Sequence, residues 1–69
     1  MAVEVFKTNI TDAVLAGELL KELDRLIPQT RINFDLEDCD HVLRVEGVQI
    51  KPAHIVLFME QKGFICECL

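Results

Sequence analysis

RINFDLED, residues 31–38, alternates without a break: Ile32, Phe34 and Leu36 fall on one face, and Arg31, Asn33, Asp35 and Glu37 on the other. Side chains along a strand have a period of two, so this stretch reads as a strand with one face on a core and the other in solvent. Asp38-Cys39-Asp40 follows as a turn. His41 to Glu46 then returns as a second strand, with Leu43 and Val45 inward and Gly47 at its end. A hairpin therefore occupies the middle of the chain.

Upstream of the hairpin, Pro28 stops a helix expected from about Thr11 to Leu26. Its apolar stripe is Leu15, Leu19, Leu20, Leu23, Leu26 and Ile27, spaced by three and four and entered through Val14. Thr11 is the expected N-cap, and Asp12 suits the positive end of the helix dipole. Gly17 weakens the helix by about 1 kcal/mol relative to Ala, unless it admits a close contact with the sheet. Ala2 to Thr8 reads as a strand, and Phe6, Thr8 and Ile10 share its inner face. FKTNITDAVL, residues 6–15, is thus a strand entering a helix through a tight turn, and a binding loop is expected there. Downstream, Pro52 opens a second helix with Ile55, Phe58 and Met59 on its inner face. Lys62-Gly63 closes it, and Phe64 to Leu69 forms a last strand.

The order strand, helix, hairpin, helix, strand is the split βαβ arrangement called ferredoxin-like, an α+β fold in one domain over residues 1–69. Right-handed crossovers put the first and third strands in the middle of a four-stranded antiparallel sheet, with both helices on one face. Three connections then share one end of the molecule: Asn9 to Asp12, Asp38 to Asp40, and Lys62-Gly63.

Composition narrows the function classes. The chain is 51% hydrophobic and 28% charged, which describes a globular domain, and its net charge of −5 disfavours nucleic acid and anionic membranes. The longest apolar run, Ile55 to Met59, is too short to span a bilayer. MAVEVFK, with Glu4 and no basic start, is not a secretory signal, so a cytoplasmic, reducing setting is expected for the three cysteines. RNA binding by this fold needs aromatics on the outer face of the central strands. The outward residues here are Val3, Val5 and Lys7 on one strand and Val42, Arg44 and Glu46 on the other. An acylphosphatase-like activity needs an anion-cradling arginine loop after the first strand, and none is present. The chain has no serine, and Asp35 and Glu37 read as a solvated strand face, so no catalysis is expected.

Nearly the whole chain resembles the heavy-metal-associated (HMA) domains of copper chaperones and metal-pumping ATPases. Phe6, Thr8 and Ile10 stand where that family has core residues and the methionine of its metal loop. INFDLED and LRVEG are similar to its hairpin strands, and KGF to its closing Gly-aromatic. The family's Cys-x-x-Cys, two thiolates for Cu(I) or Zn(II), is replaced by Asp12 and Leu15, and Lys62 alone still matches the loop environment. The resemblance implies the fold, and implies a metal loop lost or rebuilt.

Cys66 and Cys68, two apart in a strand, face the same way as Phe64 and read as core residues. Their Cβ atoms, about 7 Å apart, exceed disulfide reach of about 4.5 Å. Cys39, at the hairpin apex, forms a candidate metal set with His41 and Asp12, whose acidic surroundings favour a harder ion. His54 reads as a surface residue. No cofactor is expected beyond such a metal ion. The leading functional expectation is a non-enzymatic interaction or adaptor module. The alternatives are metal handling of altered specificity through Asp12, Cys39 and His41, and a small-ligand sensor. For the first, Val3 and Val5 are expected to lie beside Val42 and Ile65 as an apolar patch on the open sheet face, covered by a protein partner or a second copy.

Overall fold

A computed structural model covering residues 1–69 gives the order β1 (Ala2–Thr8), α1 (Ala13–Leu26), β2 (Arg31–Asp35), β3 (Val42–Gly47), α2 (Pro52–Gln61) and β4 (Cys66–Cys68). The strands form one antiparallel sheet in the order β2-β3-β1-β4, the ferredoxin-like arrangement, with β1 and β3 in the middle. A single row of paired residues crosses all four strands: Phe34, Leu43, Phe6 and Cys68. No helix is long and apolar enough to cross a membrane.

Both helices lie on the inner face of the sheet and share one core. Phe6, Leu43 and Val45 from the sheet, Leu23 from α1, and Ile55 and Met59 from α2 are fully buried in it. Leu15, Phe58 and Phe64 pack against this cluster while keeping some exposure. The expected helical stripe is narrower than its pattern. Leu26 is 45% exposed and Val14 71%, while Ala16 and Leu23 on the first and last turns of α1 are buried. Space for a Cβ at Gly17 is open, so no close contact with the sheet accounts for that glycine.

The boundaries differ from the sequence expectation where side chains compete for the backbone. Asp12, not Thr11, is the N-cap of α1: its Oδ1 accepts from Val14 N–H at 3.0 Å. β2 stops at Asp35, whose Oδ1 accepts from the Glu37 N–H at 3.2 Å and folds the chain into a turn before Asp38. β3 starts at Val42, because His41 adopts φ 46°, a left-handed conformation incompatible with a strand. β4 begins only at Cys66, since the Ile65 N–H is bound to Asn9 Oδ1 at 3.0 Å. Of the two cysteines expected in the core, Cys66 is buried and Cys68 is exposed, on the short edge strand β4. At the far end of the sheet, a Cβ on Gly47 would lie 2.8 Å from Thr30 Cγ2, so the β3 terminus needs glycine for this close approach.

Candidate functional site

The first loop and the hairpin turn are joined through one side chain. Thr8, 4% exposed, donates its N–H to the Asp40 carbonyl at 3.1 Å and its hydroxyl to the His41 carbonyl at 2.6 Å. The same hydroxyl oxygen accepts from the Ile10 N–H at 3.1 Å. Thr8 thus satisfies backbone groups on both sides of the junction, which buried polar groups require. From the sequence, Thr8 is an ordinary inward strand residue. Nothing in its neighbours signals that it bridges to residues 40 and 41.

The residues proposed from sequence as one metal set are not brought together. Asp12 spends its carboxylate on the α1 cap, and His41 Nδ1 lies 3.2 Å from the Leu36 carbonyl oxygen. A carbonyl oxygen only accepts, so Nδ1 is the donor in this contact. Cys39 instead groups with Asp38 and Asp40, one ligand atom from each lying within 4.8 Å of the others. Asp38 Oδ1 also accepts from Asp40 N–H at 2.9 Å, which tightens the turn. Lys62, the residue matched to a metal-loop environment, bonds to Glu22 Oε1 at 2.7 Å and covers the Phe58 ring at 5.5 Å from its centre. It ties α2 to α1.

All three cysteines are free. Burial pushes the Cys66 thiol up to about 12 from an ordinary 9.0, with smaller contributions from Cys68 and Glu60. Cys66 is therefore protonated at neutral pH, a packed apolar group and not a ligand or nucleophile.

The open face of the sheet is organised differently from the patch that sequence suggested. Val3 lies opposite Glu46 and Val5 opposite Arg44, while Ile65 sits beside Asn9, beyond the end of β1. Val3 and Ile65 are thus about 20 Å apart along the strand direction, at about 3.3 Å per residue, and cannot share a patch. Val5 is joined by Leu69 instead, whose N–H donates to the Val5 carbonyl at 2.9 Å. Val5, Val42 and Leu69 line an open groove of about 980 Å³, which also reaches Asn33 and Arg44. One rim is the hairpin, with Asp35, Glu37, Asp38 and Asp40. Four carboxylates against one guanidinium leave a net −3, more than half of the chain's −5. The positive groups nearby are already paired: Arg44 Nε with Glu46 Oε1 at 3.0 Å, and Lys7 Nζ with Asp40 Oδ1 at 3.9 Å.

No family model, no curated protein and no solved structure matches the chain.

Proposed function

We propose that this chain is a non-enzymatic interaction module, HMA-like in build but without that family's metal loop, which docks a protein on the helix-free face of its sheet. The observation that carries this reading is the groove holding Val5, Val42 and Leu69 on the solvent side of an antiparallel sheet, a side that is ordinarily polar throughout. Leu69 is 67% exposed there, beside Val5 and Val42 and not as an isolated surface residue. A non-catalytic role accords with the state of the histidines. The His41 ring is bound to backbone, and His54 is exposed at the start of α2. Three free cysteines suit a reducing compartment such as the cytosol.

A photo-crosslinking side chain placed at Val5 and expressed in the source cells should give a discrete adduct. The same group at Ala53, exposed on α2, should give none. Adducts from Ala53 with none from Val5 would move the interface to the helices and end this reading.

A second reading, cation binding at the hairpin apex, is favoured by the Asp38, Cys39 and Asp40 cluster. Two carboxylates with one thiolate suit a borderline ion such as Zn(II) better than Cu(I). Alkylation of the native protein separates the possibilities. Cys39 and Cys68, both exposed, should react near pH 8, and Cys66 only after unfolding. Protection of Cys39 by micromolar Zn(II) would establish the cation reading, and an unchanged rate would remove it.

A further inference from the structure

We infer that the partner segment taken by the open sheet face is basic: an extended stretch in which lysine or arginine alternates with aliphatic residues. This rests on the interaction reading above and names the chemistry of its partner. Val5, Val42 and Leu69 supply the apolar part of a floor they share with Asn33 and Arg44, and the hairpin rim carries Asp35, Glu37, Asp38 and Asp40. On an extended segment lying along the face, alternate side chains point to the floor and away from it; aliphatic residues take the floor positions, and lysine or arginine stems on the outer side are long enough to turn back to the rim carboxylates.

Charge selects among the possible occupants. A second copy would bring the same net −3 against this one, and like-charge juxtaposition across an interface is costly. An acidic segment meets the same repulsion, since Arg44 and Lys7 are already paired with Glu46 and Asp40. A neutral apolar segment would cover Val5, Val42 and Leu69 but leave Asp35, Glu37 and Asp38 without counter-charge. A basic segment with aliphatic anchors satisfies both parts. Because the rim carboxylates are largely exposed, their contribution is expected in encounter rate and specificity, and to weaken with salt.

The test titrates the ¹⁵N-labelled full chain with three short peptides in which leucine alternates with lysine, glutamine or glutamate. The lysine peptide should shift the amides of Val5, Val42 and Arg44. The combined change Asp35→Asn, Glu37→Gln and Asp40→Asn should weaken it by about tenfold, as expected for three exposed ion pairs. These amides retain the oxygen that Asp35 presents to the Glu37 N–H, so the turn survives, and spectral dispersion verifies that the variant is folded. Polylysine without leucine should bind more weakly than the alternating peptide. If the glutamine or glutamate peptide binds the same amides as tightly, the interaction face stands and the basic partner is overturned. If no peptide shifts them, both readings fall. Shifts of these amides with protein concentration alone would give the face to a second copy and overturn the inference. Equal binding by polylysine would reduce it to counter-ion attraction and overturn it as well.

Discussion

Phe6→Ala is expected to leave the domain largely unfolded at room temperature. Phe6 is fully buried in the central strand, paired with Leu43 on one side and Cys68 on the other. Truncating a buried phenylalanine costs about 3–5 kcal/mol, from lost transfer energy and the cavity left behind. A domain of 69 residues has a total stability on the order of 3–10 kcal/mol, so the loss takes most of it. Urea unfolding followed by circular dichroism measures this directly, with Leu57→Ala, at a position 54% exposed on α2, as a near-neutral control. A loss below about 1 kcal/mol for Phe6→Ala would mean that the core closes over the gap, and that Phe6 is not its centre.

Thr8→Val should cost about 2–4 kcal/mol although it preserves shape and adds no charge. The change removes the donor to the His41 carbonyl and the acceptor for the Ile10 N–H, and each orphaned group costs about 1–3 kcal/mol. Thr8→Ser keeps the hydroxyl and should recover most of the difference. Hydrogen exchange gives the more specific signature. In Thr8→Val, the Ile10 and His41 amides should lose protection well before those of α1, because the hydroxyl joins the two loops. Uniform loss of protection across the domain would reduce Thr8 to a core-packing residue and dismiss its bridging role.

The architecture was legible in the chain because it depends on periodicity. Alternation of Ile32, Phe34 and Leu36, the spacing of Leu15, Leu19 and Leu23, and Pro52 ahead of Ile55 and Met59 each name an element type. Their order then leaves few topologies open. Boundaries were less legible, because short polar side chains compete for backbone groups. Asp12 rather than Thr11 caps α1, and Asp35 and Asn9 cut two strands short.

Site geometry was least legible. Proximity in the fold placed Asp12, Cys39 and His41 at one end, but not the directions in which they point. The Asp12 carboxylate turns to its own helix, and the His41 ring is drawn to the Leu36 carbonyl. The apolar patch failed for a similar reason. Which residues face outward follows from alternation, whereas which of them are neighbours depends on register. Register sets Val5 beside Leu69 and leaves Val3 and Ile65 apart.

The strand order also dictates when this domain is able to form during its synthesis. β1 emerges from the ribosome first, yet Ala2 pairs with Gly47 and Phe6 with Cys68, so both of its neighbours are translated much later. The β2–β3 hairpin is the earliest piece of sheet available, and the seam between β1 and β3 closes only when Gly47 is free. Distant pairings of this kind slow folding and prolong the exposure of unpaired strands. Until then the nascent chain displays Val3, Val5 and Phe6 on an unpartnered strand, and that interval is when it is most open to aggregation or to capture by a chaperone.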